Sequence, residues 1–315
     1  MIDFRFHLVS IVSIFLALAV GIVLGAGPLQ GSIGTQLTDQ VSQLRQEKDT
    51  QRSQLDDANK TVTAQEQYAS LVAPAALANQ LRDQSVVLLV SPDVAGKLSQ
   101  DVQQALAQSG ARVTTVVTLK DDYRDPSAAA SRATAAGKAA AMLGLTVAND
   151  GDPLLGEILS TVLVRTPAED KGPASSGAEA LGTLKQAGLL DFTQSTLQRA
   201  DLAVMLNGPI SGTAASVSAQ TATLLDLASA LDTHSAGVVV ATNQPTTAVG
   251  QEVTTSLVTA VRKDNNTVKA ISTVDHADTV MGAGVIVLSL ARQRLGTAGH
   301  FGISSDAQSA VPPAR

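Results

Sequence analysis

Residues Leu8 to Gly27 carry no charged side chain, and soon afterwards Thr35 to Ala73 run without a glycine or a proline. Few architectures accommodate both features. The first segment has to leave water, and the second is uninterrupted enough to form one long helix. Between Leu8 and Leu24 only Ser10 and Ser13 are polar, the rest being mostly Leu, Ile, Val and Phe. On an insertion scale such a run contributes about −5 kcal/mol with no charge to oppose it. Twenty residues at about 1.5 Å each match a hydrocarbon core of about 30 Å. A cleaved signal peptide is the other reading. Its apolar region is shorter, about 7 to 15 residues, and the small-residue site Gly25-Ala26-Gly27 runs into Pro28. The retained anchor is the better match.

Arg5 and the α-amino group precede the span, offset in part by Asp3, and no lysine or arginine follows before Arg45. That asymmetry places the N-terminus in the cytoplasm and the remainder outside the cell membrane. Ser13, Ala17, Gly21 and Gly25 recur every fourth residue, so one face of the span is a ridge of small side chains suited to close helix packing.

The long segment carries a heptad pattern. Leu37, Val41, Leu44, Leu55, Ala58 and Val62 fall on its core positions, continued by Ala69 and Val72 and interrupted by Lys48, Gln51 and Gln65. Possible i,i+4 pairs are Arg45–Asp49, Arg52–Asp56 and Asp56–Lys60, each worth a few tenths of a kcal/mol. A continuous helix over 35–73, closed by Pro74, would reach about 58 Å. Two readings stay open: a coiled coil with a homodimeric or heteromeric partner, or one amphipathic helix lying on the rest of the chain.

Beyond residue 85 the pattern changes to short β-branched runs alternating with helical stretches. Val86–Val90, Val113–Thr118, Leu202–Leu206, Val238–Ala241 and Val268–Ile271 read as buried strands. Helices are expected over Ala95–Gln108, Ala128–Leu143, Leu154–Val164, Ala178–Ala187, Ala215–Leu231 and Val249–Arg262. The alternation predicts a mostly parallel, Rossmann-like α/β domain over 85–302, with a helical insertion between its second and third strands. Arg165 to Gly177 reads as a surface loop and 303–315 as a flexible tail. The expected fold class is therefore α/β: a short cytoplasmic end (1–7), a transmembrane helix (8–27), a coiled-coil helix (35–73) and the α/β head.

Catalytic patterns are missing. Ser91-Pro92-Asp93-Val94-Ala95-Gly96 after the first strand is no dinucleotide fingerprint, and neither Gly96-Lys97 nor Gly137-Lys138 belongs to a P-loop. Asn207-Gly208-Pro209-Ile210-Ser211-Gly212 could cradle an anion but lacks a lysine and reads better as a tight strand-to-helix turn. There is no nucleophile elbow, no paired-histidine zinc helix and no cysteine. Asp121, Asp122 and Asp125, like Asp150 and Asp152, precede expected helices and suit capping. A net charge of −6 and only seven aromatic residues argue against nucleic acid and against stacking platforms. The chain is expected not to be an enzyme, to need no cofactor, and to work through the membrane and an envelope protein partner.

One group of potential metal ligands remains: Asp275, His276 and Asp278, with His300 further on. Oxygen and imidazole suit a hard or borderline ion, whereas cuprous copper favours thiolate or thioether. The four methionines, Met1, Met142, Met205 and Met281, are scattered through positions expected to be buried or terminal. Capping of a turn beside an exposed histidine is the competing account.

The two ends carry a resemblance. Phe6-His7-Leu8-Val9-Ser10 leading into Leu16-Ala17-Leu18-Ala19-Val20-Gly21-Ile22-Val23-Leu24-Gly25, together with Ile271-Ser272-Thr273-Val274-Asp275 and Gly299-His300-Phe301-Gly302, resembles the mycobacterial copper transport protein B family (MctB). Relatives usually carry tyrosine where this chain has Phe301. The resemblance implies an actinobacterial-type cell-envelope protein with a role in copper transport and homeostasis, and so brings in copper, which the ligand inventory does not support. It implies an alternative as well: a non-enzymatic coiled-coil scaffold that pairs with a membrane partner to regulate cell separation and peptidoglycan hydrolysis.

Overall fold

A computed structural model describes residues 4–26, 29–145, 151–166, 176–193, 197–243 and 253–313, with backbone alone at 26, 29–36 and 253. The chain divides into two compact units, Met1–Gln65 and Glu66–Arg315. The first holds helix α1 (Phe4–Ala26) and most of helix α2 (Leu29–Leu77). Pro74 does not close α2. Its carbonyl still accepts the Ala78 N–H at 3.1 Å, and the helix runs one more turn to Leu77. A proline this close to a helix end interrupts only the bond its own missing N–H would have made. Asn79 then adopts φ +62°, a left-handed residue that ends the helix. On the surface of α2 Lys60 pairs with Asp57 at 2.9 Å, three residues away, rather than with Asp56.

The second unit is a mixed α/β domain. In chain order it contains β1 (Ser85–Val90), α3 (Gly96–Gln108), β2 (Arg112–Leu119), α4 (Ala129–Leu143), α5 (Asp152–Leu163), α6 (Gly177–Gln186), β3 (Leu190–Phe192), β4 (Leu202–Asn207), β5 (Ile210–Gly212) and α7 (Ala214–Thr233). It continues with β6 (Val238–Thr242), β7 (Val253–Thr255), α8 (Leu257–Lys263), the single turn α9 (Thr267–Ala270), β8 (Ser272–Val274), α10 (Val280–Gln293) and β9 (His300–Phe301). Seven strands form one sheet in the order β3-β2-β1-β4-β6-β8-β9. All pairings are parallel except β2 with β3. β5 and β7 make a separate antiparallel pair.

The central strands are buried on both faces, and pleating divides their side chains between two apolar layers. Val87 and Leu89 of β1, Ala203 and Met205 of β4, and Val238 and Val240 of β6 pack with α4 to α8. Val86, Leu88 and Val90, Leu202, Val204 and Leu206, and Val239 and Ala241 pack in the layer of α3 and α10 with buried Leu77 at the end of α2 and Leu81 in the turn beyond it. Burying each such Val or Leu contributes about 1.5–3 kcal/mol.

Several expectations need correction. Val268–Ile271 is not a strand: Asp264 Oδ1 accepts the Thr267 N–H at 2.8 Å and caps the turn α9, so pairing starts only at Ser272. The expected helix over Val249–Arg262 splits into β7 and α8, and its residues 249–252 lie outside the described segments. Arg165 is buried, not part of a surface loop. It pairs with Asp201, whose Oδ2 also accepts from the Ser85 N–H at 2.9 Å and the Ser85 hydroxyl at 2.7 Å. Residues 167–175 lie outside the described segments. Within 303–313 the chain is tied down, not loose: the Gly302 N–H donates to Ser309 O, and the Gln308 N–H to His300 O.

Candidate functional site

In an open parallel sheet, ligands sit beyond the carboxyl ends of the strands where the strand order reverses. Here that place lies between β1 and β4. Ser91 follows β1 and Asn207 ends β4, and the Ser91 hydroxyl donates to Asn207 Oδ1 at 2.7 Å. Asp93 fills the space above Gly208, where even a Cβ would meet it, and pairs with Arg124. Asp93 therefore reaches into the crevice. The Asn207–Gly212 segment is no tight turn, because Ile210–Gly212 pairs with β7 before Thr213 caps α7. Of the early aspartates, Asp125 caps a short turn through the Ser127 N–H. Asp152 takes two bonds from buried Arg132 (2.9 and 3.1 Å) and one from the Thr223 hydroxyl (2.6 Å). Asp150 lies outside the described residues.

At the other end of the sheet, two of the segments that carry the resemblance meet. Ser272–Val274 and His300–Phe301 are the neighbouring parallel strands β8 and β9. Arg262 of α8 joins them. Its Nε donates to Thr273 Oγ1 at 2.9 Å, its Nη2 to the Phe301 carbonyl at 2.9 Å, and its Nη1 lies 2.9 Å from Asp275 and 2.7 Å from Asp306. Such a fork suits a planar guanidinium with five donors.

Asp275 is buried at the end of β8. It accepts the Ile303 N–H at 2.7 Å and touches His276 Nδ1 at 2.5 Å. Burial pushes its pKa up, but His276, the Ile303 N–H and Arg262 outweigh this and hold the carboxyl below its usual value. His276 itself takes a left-handed φ of +54°. Gly302, at φ +137°, passes so close to Asp275 that a Cβ would land on the carboxylate.

His300 joins this network through Thr273 rather than through Asp275. Its Nδ1 lies 2.9 Å from the Thr273 hydroxyl and its Nε2 2.9 Å from the Val268 carbonyl. The carbonyl requires a proton on Nε2; in the neutral ring Nδ1 then accepts from the Thr273 hydroxyl. Burial lowers its pKa. Asp275, His276, Asp278 and His300 consequently do not gather as one ligand set. Among the described residues no group of three or more His, Cys, Asp or Glu is placed to hold a metal. His276 is not an exposed histidine either, since its side chain is 13% exposed.

In the first unit, Phe4–Gly25 of α1 is long and apolar enough to cross a membrane. The Ser13 hydroxyl bonds back to Val9 O at 2.8 Å, and a Cβ on Gly21 or Gly25 would meet nothing within 4 Å. With Ala17, these residues face open space. Leu37, Val41, Leu44, Leu55, Ala58 and Val62 of α2 are all exposed.

The family model described as "Copper transport outer membrane protein, MctB" matches residues 1–312. The chain belongs to this family. Relatives named "Copper transporter MctB" from Mycobacterium bovis and Mycobacterium tuberculosis are each 25% identical over 318 residues, covering 98% of this chain and 98% of their own. The Mycobacterium leprae protein of that name is 25% identical over 324 residues, covering 99% of this chain and all of its own. Within this member of the MctB family the donor set does not suit cuprous copper. Cysteine is absent, and His300 has both ring nitrogens engaged. Met205 is buried in the core; Met142 and Met281, contrary to expectation, are exposed. Sequence reasoning missed Arg262 altogether. Its one signal was its position in a helix just ahead of the strand that ends in Asp275.

Proposed function

We propose that this MctB-family chain is a membrane-anchored component of copper homeostasis in the cell envelope, crossing the membrane once, with its N-terminus in the cytoplasm and its α/β domain outside. The observation that carries this reading is the full-length family match. It runs over the apolar helix, the long helix and the domain, so the match to relatives named as copper transporters covers the whole length rather than one module. Arg5 ahead of the apolar helix, with no basic residue after it before Arg45, supports the orientation.

The reading gives the chain no catalytic step and no resident copper. Asp93 reaches into the crevice at the strand-order reversal, and Asp275 beyond β8 is engaged by Arg262 and the Ile303 N–H. A protein of this kind contributes by position and by contact with other envelope proteins. Deleting its gene should lower copper tolerance and raise cell-associated copper, and the wild-type gene should restore both. Unchanged tolerance and unchanged copper content would overturn the assignment. Surface proteolysis of intact cells tests orientation: the domain beyond α2 should be accessible and the N-terminus protected.

A further inference from the structure

We propose that α2 pairs with α2 of a second copy as a parallel, in-register, two-stranded coiled coil over Leu37–Gln65. The apolar stripe on this helix is bare. Leu37, Leu44 and Leu55 are 61–64% exposed, and Val41 and Val62 share the same stripe. A row of apolar side chains at heptad spacing is stable in water only when a partner covers it.

The residue types say what that partner is. With Leu37 and Leu44 at d, the a positions are Val41, Lys48, Leu55 and Val62. Around Val41 the seam has valine at a with leucine at d, which favours two parallel strands; further on, d is Gln51, Ala58 and Gln65, and the lysine at an a position fixes register and oligomeric state at some cost in stability. The charges agree. Glu47 occupies a g position and Arg52 the following e position. In a parallel pair, Glu47 of each copy meets Arg52 of the other and flanks the other Lys48, so the buried ammonium gains a carboxylate neighbour. The seam is self-complementary, as contact between identical copies requires. Parallel alignment also rests on the membrane-anchored reading above, because two copies held by α1 in one bilayer start their α2 helices at the same level.

The absence of cysteine makes the test clean, since every introduced thiol is the only one. Full-length Val41→Cys, Leu44→Cys and Ser53→Cys variants would be oxidised in native membranes and sized under denaturing conditions. Val41 and Leu44 lie on the seam, and Ser53 lies on the outer face. Disulfide-linked dimers of this chain at Val41 and Leu44, with Ser53 monomeric, are expected. Equal cross-linking at all three positions, none at any, or linkage of the seam cysteines to a different polypeptide would overturn the proposal.

Sizing the full-length wild type in detergent should give two copies; one or three would also overturn it. Glu47→Arg should raise the dissociation constant roughly tenfold, about 1.4 kcal/mol, while Gln46→Arg on the outer face should not change it. Carbonate extraction of the same membranes separates the two ideas. Dimers that wash off the membrane leave the pairing intact and defeat the anchor, whereas anchored monomers do the reverse.

Discussion

The guanidinium of Arg262 lies 2.9 Å from the carboxylate of Asp275, with the two side chains 4% and 2% exposed. Around this pair the last two strands of the sheet and the segment after them are assembled. Arg262 reaches Thr273 on β8, the Phe301 carbonyl on β9 and Asp306 beyond it, while Asp275 collects the Ile303 N–H. Removing one member of a buried pair leaves the other charged and uncompensated. Arg262→Ala should therefore cost about 3–5 kcal/mol, and Arg262→Lys less, because lysine keeps the charge but not the fork. Chemical denaturation of the full-length protein in detergent measures both. A loss under about 1 kcal/mol for Arg262→Ala would show that the pair is not what closes this edge.

Acid should weaken the domain in two stages. His300 is held below its ordinary 6.5, so its neutral form favours the folded state. That contribution is complete above 6.5 and is lost as pH falls through the folded value. Asp275 is held below 3.8, so its contribution persists to lower pH and disappears only beneath that value. Unfolding midpoints recorded between pH 7.5 and 3 should show both stages, with His300→Gln flattening the first and Asp275→Asn the second. An unchanged upper stage in His300→Gln would remove His300 from this account.

Asp232 titrates in the opposite sense. Burial pushes it up to about 6, against a smaller lowering by its hydrogen bond with Gln293. A carboxyl raised in this way loses its stabilising proton as pH climbs from 3.8 through 6, and the folded state stays weaker above that. After allowance for partial exposure, Asp232→Asn should stabilise by about 1 kcal/mol at pH 7.5 and by nothing at pH 3.5. Equal gains at both pH values would point to packing rather than charge.

Tyr123 is buried at 1% exposure, and its hydroxyl finds no hydrogen-bond partner among the described residues. A buried donor left unmatched costs about 1–3 kcal/mol. Tyr123→Phe keeps the ring against the α4–α5 layer and deletes that cost, so the midpoint of thermal unfolding should rise or hold. A drop of several degrees would reveal a partner for the hydroxyl.

Much of the architecture is legible in the amino acids because β1, β4 and β6 are continuously buried, largely apolar runs and β2 is a half-buried, β-branched one, so residue type marks them directly. β8 is not legible for a physical reason. Its Ser272 and Thr273 are buried as polar groups: the Ser272 hydroxyl donates to Gln293 Oε1 at 2.5 Å, and Thr273 links Arg262 to His300. Hydrogen bonding replaces apolar contact there, so the apolar run just upstream, Val268–Ile271, is mistaken for the strand. The same replacement hides the role of the terminal Gly299-His300-Phe301-Gly302 segment. It carries part of the resemblance, yet it serves to complete the sheet, with Phe301 buried and Gly302 giving passage beside Asp275. Among the described residues Asp275 and His300 do not share one ligand group, and spacing along the chain says nothing about which lone pairs are already engaged.

The edge strand β9 comes from residues 300–301, after every other strand of the seven. A chain synthesised from its N-terminus therefore exposes β8 as a bare, sticky border until that late stretch has emerged. For that interval Arg262 waits without the Phe301 carbonyl, and Asp275 without its wrapping amide. Premature release of the polypeptide in this window would leave an open template for intermolecular strand addition, which makes the arrival of residues 300–301 a point of vulnerability in its biogenesis.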